Sequence, residues 1–161
     1  MILGVATVGI DSQLCFALYS ASRAMTAAYR PILADMNLTY PQYLVLLVLW
    51  EDSAHARSNE DARVTIRRLG ERLQLDSGTL SPLLKRLEAN GLVHRERSEA
   101  DERLVEITLT AAGRRLEKKA QCIPERLLTA AGMTEKQAAD LRDAVRLLTD
   151  ALGASSGREP T

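Results

Sequence analysis

The chain has 161 residues, 46% hydrophobic and 26% charged, with 21 basic and 21 acidic side chains. That length and mix describe one ordinary globular domain with room for a core, and exclude disordered, fibrous or membrane-embedded classes. A net charge of zero argues against a nucleic-acid binder, and two cysteines make no disulfide scaffold, so a reducing cytoplasm is the expected setting.

The opening MILGVATVGI is apolar but has no basic start and is too short to span a bilayer, so it is expected to be a loose arm. From Asp11 to about Asp35, Leu14, Leu18, Ala21, Met25 and Ala28 recur at three- and four-residue steps, which predicts an amphipathic helix capped by Asp11 or Ser12. Pro31 should kink or break it. A second helix starts at Tyr40–Pro41 and runs to Glu51, apolar nearly all round and therefore central. Residues 52–63 are polar and unpatterned and predict a flexible loop. Val64–Leu75 predicts a strand-like start and a helix with Ile66, Leu69 and Leu73 inward. Asp76 or Ser77 caps the next helix, which buries Leu80, Leu83, Leu84 and Leu87 and stops at Asn90–Gly91. Val93–Arg97 and Leu104–Leu109 flank SEADE and predict a hairpin. Thr110 caps a long helix to about Leu128, bent near Pro124. Gly132 ends it, Thr134-x-x-Gln137 forms a capping box, and a last helix reaches Leu152 before a disordered tail at 153–161.

The expected fold is mostly α, an α+β winged helix of about six helices with a two-stranded wing. A helix placed by a preceding helix and a short turn can enter the major groove. Its first turn offers Ser77, Gly78, Thr79 and Ser81, small or hydroxyl-bearing and able to donate to phosphates or base edges, at a helix end that attracts phosphate. Lys85 and Arg86 follow one turn on and suit the DNA backbone. Arg103, at the hairpin tip, could enter the minor groove, with Asp101 orienting its guanidinium. The bland alternative is a capped helix and an exposed turn with a weak surface ion pair. Between Arg67 and Arg103 there are eight basic and seven acidic residues, so the reading depends on arrangement rather than on bulk charge.

DERLVEITLT, residues 101–110, resembles the wing signature of the MarR family of dimeric winged-helix repressors. LDSGTLSPLLKRLEANGLVHRER is similar to that family's recognition helix and first wing strand. QLCFALYSASRAMTAAYRPILADMNLTYPQYLVLLVLWE resembles its organic-hydroperoxide sensors, the OhrR type. The likeness covers Gln13–Glu51 and Val64–Leu116, and the polar stretch at 52–63 is longer than the pattern. It implies a homodimer on double-stranded operator DNA, with dimerisation helices at 11–38 and 110–152, a DNA-binding part at 40–109, and no cofactor.

Cys15 falls in the first turn of its helix, where the positive end favours the thiolate that attacks peroxide. A small buried hydrophobe is the usual fate of a free cysteine. The resemblance implies a redox-sensing role, organic hydroperoxide as inducer, and Tyr29, Tyr40 and Tyr19 as hydroxyls that hold the thiolate, with Tyr19 and Tyr29 reaching from the partner subunit. It leaves open whether Cys122 resolves the oxidised Cys15. His55 and His94 have no cysteine beside them, so no metal site is expected. The rival readings are a repressor released by a small phenolic ligand, a thiol peroxidase, and an interaction module that does not bind DNA.

Overall fold

The computed structural model describes residues 9–55, 63–98, 101 and 103–156, the side chains of 154–156 excepted. The expected N-terminal arm, the middle of the polar stretch and the last five residues of the tail therefore lie largely outside the described residues. A 3-10 turn at Ile10–Ser12 leads into α1 (Leu14–Ala34) and α2 (Tyr40–His55). Then come β1 (Val64–Thr65), α3 (Ile66–Leu73), α4 (Ser77–Ala89), β2 (Val93–Arg97) and β3 (Val105–Leu109). Helices α5 (Ala111–Ala120), α6 (Ile123–Ala131) and α7 (Glu135–Ser156) complete the chain. Two compact units result, 1–121 and 122–161.

In the first unit α2 is the central element. Tyr43, Val45, Leu46, Val48, Leu49 and Trp50 are all buried, as a helix apolar on nearly every face requires. Leu69 of α3 and Leu80, Leu84 and Leu87 of α4 join this core at zero exposure, while Leu83 is only half-buried. The sheet is antiparallel with strand order β1-β3-β2, so the expected two-stranded wing gains a short third strand. Glu96 and Glu106 face each other across β2 and β3. Arg63 relieves that repulsion, with its guanidinium 3.5 Å from Glu96 and 3.1 Å from Glu106.

Several boundaries differ from expectation, each for a local reason. Neither Asp11 nor Ser12 caps α1; both lie in the 3-10 turn, and the Ser12 hydroxyl donates backwards to the Gly9 carbonyl at 2.8 Å. Gln13 occupies the cap position without a side-chain bond. Helix α1 continues through Pro31 to Ala34. Helix α2 runs on through Asp52–His55, the residues expected to open a loop, because Glu51 and Asp52 pair with Arg72 and Arg68 of α3. The long helix from Thr110 is divided at 121–122, with Pro124 near the start of α6, where a proline lacks no needed donor. Helix α7 runs four residues beyond Leu152; Gly153 within it costs only about 1 kcal/mol.

The second unit contains α6 and α7. Gly132 ends α6 at φ 62°, and Thr134 and Gln137 form the expected reciprocal cap of α7. Leu141, Val145, Leu147 and Leu152 on α7 are exposed within one chain. Among the described residues, no helix is long and apolar enough to cross a membrane.

Candidate DNA interface and thiol site

Helices α3 and α4 meet through a tight turn. Gln74 adopts φ 54° as the α3 C-cap, and the Leu75 carbonyl lies so close to Gly70 that a β-carbon there would sit 2.8 Å from it. Asp76 caps α4, accepting the Thr79 amide at 2.9 Å and the Thr79 hydroxyl at 2.8 Å. The Thr79 side chain and the backbone amides of Thr79 and Gly78 hold the Asp76 carboxyl below the usual carboxylate range, so it is anionic at neutral pH. The α4 N-terminus expected to attract phosphate is therefore already occupied by the chain's own carboxylate.

The hydroxyls of this turn need a second correction. Thr79 Oγ1 gives its proton to Asp76, and Ser81 Oγ gives its proton to the Ser77 carbonyl at 2.7 Å. Both were expected to donate to DNA; with those protons used, they offer lone pairs, which match base amino groups rather than phosphate oxygens. Ser77, Gly78 and Thr79 are exposed and Ser81 is half-buried. Lys85 and Arg86 are exposed one turn further along.

Arg103 and Asp101 lie beside the hairpin, both exposed. The Asp101 carboxylate accepts the Arg103 backbone amide at 3.0 Å, and the Asp101 carbonyl accepts the Leu104 amide at 2.9 Å. Asp101 thus shapes the turn rather than gripping the guanidinium, which is left to project. A feature not anticipated from sequence fixes the helix to the wing. Glu88 of α4 accepts the Arg95 amide of β2 at 3.2 Å, and its other oxygen lies 3.9 Å from the Arg95 guanidinium. A glutamate and an arginine seven residues apart across a Gly-containing turn are the only sequence signal for it.

Cys15 is the second residue of α1 and is exposed. Tyr19, one turn on along the same face, is also exposed; Arg23 donates to its hydroxyl at 3.1 Å. The four-residue spacing of Tyr19 and Arg23 is the sequence signal for this pair. Tyr29 stacks on Tyr40 at 4.5 Å between ring centroids and tilts against Tyr43 at 5.8 Å. Burial, helped by Tyr40 and Tyr43, pushes the Tyr29 phenol up to about 12, and burial raises Tyr40 as well. Both hydroxyls stay protonated at neutral pH and can donate. Tyr29 lies about 21 Å along α1 from Cys15 at 1.5 Å per residue, beyond the reach of the two side chains. Within one chain the cysteine and the tyrosine pair do not meet. Cys122, exposed, occupies the N-cap position of α6. His55 bonds the Glu51 carbonyl at 2.6 Å and His94 is exposed on β2; among the described residues no cluster could hold a metal ion.

A helix pair joined by a tight turn, followed by an antiparallel hairpin packed on the second helix, defines a winged helix-turn-helix DNA-binding protein. The family model described as transcriptional regulator SarA/Rot matches residues 27–120. The regulator TtmR of Methylorubrum extorquens is 49% identical over 92% of this chain and 71% of its own length. The organic hydroperoxide resistance transcriptional regulator of Bacillus subtilis is 47% identical over 83% of this chain and 82% of its own. Reduced AbfR bound to DNA superposes with a TM-score of 0.69 at 33% identity, covering 89% of this chain and 94% of that one. AbfR, from Staphylococcus epidermidis, has also been solved in a disulfide-formed state, which matches with a TM-score of 0.56 at 35% identity over 87% and 92% of the two chains. The chain belongs to the MarR/SarA family of winged-helix transcriptional regulators, which are DNA-binding proteins rather than enzymes.

Proposed function

We propose that this regulator is a homodimeric repressor that senses organic hydroperoxides through Cys15. One observation bears most of the weight. An exposed cysteine in the first turn of α1 and a half-buried pair of proton-donating tyrosines lie too far apart to meet within a chain, and a second copy would bring them together. The exposed Leu14, Tyr19 and Met25 of α1, and the exposed apolar residues of α7, supply faces that such a dimer would cover. Tyr29 and Tyr40 of one copy then donate to the thiolate of the other, with Tyr19 alongside.

In the sensing step the Cys15 thiolate attacks the terminal oxygen of the hydroperoxide. A sulfur–oxygen bond forms, the oxygen–oxygen bond breaks, and the alkoxide takes up a proton to leave as the alcohol. The sulfenic acid is a poorer acceptor for the tyrosines. Cys122 of the other copy, as the second thiol, would condense with it, forming a sulfur–sulfur bond between the subunits and releasing water. On DNA, the two α4 helices would sit about 34–36 Å apart on a near-palindromic operator. Lys85, Arg86 and Arg103 would neutralise phosphates or enter the minor groove, and Ser77, Gly78, Thr79 and Ser81 would face base edges. Oxidation releases DNA only if the oxidised state favours another placement of the reading heads.

Gel-shift titration on the protein's own promoter, with and without stoichiometric cumene hydroperoxide, tests this reading. Release of wild type, absent in Cys15→Ser, is the expected result. Equal release of both proteins would move the inducer site elsewhere, to a non-covalent ligand such as a phenol.

A further inference from the structure

The tyrosine pair proposed to hold the thiolate is joined to the end of the DNA-reading helix by a continuous run of contacts, buried at its centre in Tyr43 and Trp50. Tyr29 and Tyr40 stack at 4.5 Å, and Tyr29 packs on Tyr43 at 5.8 Å. Tyr43 meets Trp50 edge-on at 6.3 Å, and the two rings are 3% and 4% exposed. The Trp50 indole N–H donates to the Gly113 carbonyl at 3.0 Å inside the core. A β-carbon on Gly113 would fall within the van der Waals shell of the Leu92 carbonyl oxygen, so the first turn of α5 rests directly on the residues that follow α4. Thr110 closes the corner. Its hydroxyl donates to the Gly91 carbonyl at 2.7 Å and accepts the Gly113 amide at 3.0 Å, and its own amide donates to the Leu92 carbonyl at 3.0 Å.

We propose that Trp50 is the positioning residue that transmits a displacement of the tyrosine pair to the corner where α4 ends, through its indole bond to Gly113. The proposal rests on the hydroperoxide-sensing reading. Two physical points favour this route over the rest of the core. Close-packed rings cannot absorb a shift of Tyr29 by compression, so Tyr43 and Trp50 must move with it. A buried indole N–H that loses its acceptor carries the full penalty of an unpaired donor, so Gly113 must follow Trp50. At Gly113 there is no slack, because its backbone already lies against Leu92. The corner therefore moves as a body, and with it the end of α4.

The single tryptophan of the chain makes the test direct. Operator affinity, Cys15 oxidation by mass and Trp50 emission are measured on full-length wild type and Trp50→Phe, before and after one equivalent of cumene hydroperoxide. Trp50→Phe keeps a ring and removes the N–H; the Gly113 carbonyl lies inside α5, where helical pairing still offers it a donor. The expected result is reduced-state affinity within about threefold of wild type and the same mass gain at Cys15. The ratio of oxidised to reduced Kd should fall at least tenfold relative to wild type. Full release by the oxidised variant overturns the relay while leaving the sensing reading intact. Should Trp50→Phe not fold, wild-type emission decides: a change on oxidation that is absent in Cys15→Ser supports the relay, and unchanged emission overturns it. Wild type that oxidises at Cys15 yet keeps its DNA overturns the sensing reading itself, and the relay with it.

Discussion

Arg68 clasps Asp52 through two hydrogen bonds, 2.9 Å from Nε to Oδ2 and 2.8 Å from the terminal nitrogen to Oδ1. The fork ties the first helix of the helix-turn-helix to the last turn of α2, and Arg72 adds a bond to Glu51 beside it. Hydrogen bonding from Arg68 is the main reason the Asp52 carboxyl titrates below its ordinary value.

Acid should loosen this joint. A carboxyl lowered in the folded state binds its proton more readily in the unfolded chain. Its stabilisation is therefore present above the ordinary carboxylate value, about 3.9, and is lost as pH falls through the lowered folded value. The urea midpoint of wild type should drop between about pH 5 and pH 3, and Asp52→Asn should start lower and fall less. Parallel curves for the two proteins would count against the clasp as a source of the pH dependence.

Asp76 has two opposing effects at one helix end. Asp76→Ala should lower the urea midpoint through loss of the cap. The same change removes an anion from the DNA-facing turn and should strengthen binding to random-sequence duplex. Fluorescence anisotropy on a non-operator duplex gives the sign; weaker binding would mean that the α4 N-terminus does not approach phosphate.

Lys85→Ala and Arg86→Ala should weaken binding to operator and non-operator DNA alike. Each should reduce the slope of log affinity against log salt by about 0.9 per subunit. An unchanged slope for either residue would take it off the phosphate backbone.

Tyr29→Phe should slow Cys15 oxidation about tenfold, the equivalent of one charge-assisted hydrogen bond of some 1.4 kcal/mol. Stopped-flow reaction with cumene hydroperoxide measures it. A rate equal to that of wild type would separate Tyr29 from the thiol.

After oxidation, wild type should run as a covalent dimer on a non-reducing gel, and Cys122→Ser should abolish that band. A band that survives in the variant would remove Cys122 from the resolving step.

Features held by neighbours in sequence were legible before any coordinates. Asp76, Thr110 and Thr134 cap their helices as expected, because a side-chain oxygen reaches the amides of its own first turn in any tertiary setting. Asp11 and Ser12 depart from the expected cap for the complementary reason: a serine hydroxyl can turn backwards as easily as forwards, and Ser12 bonds Gly9. The helical run Asp52–His55 was invisible because what holds it lies on α3, across an intervening polar segment. The thiol and tyrosine positions could be named, but their separation along α1 emerges only once the helix is known to run unbroken from Leu14 past Tyr29. The Trp50–Gly113 bond spans 63 positions, a distance at which no spacing rule applies.

The occupied end of α4 also bears on how such a regulator searches a chromosome. Affinity for random DNA comes from neutralised phosphate, and this chain brings no net charge together with a helix terminus already shielded by Asp76. Its dwell time on unrelated sequence should be short, so a molecule that leaves its operator diffuses into solution instead of sliding alongside. Leaving the operator is then a clean departure, and rebinding depends on how many copies of the regulator the cell keeps in reserve.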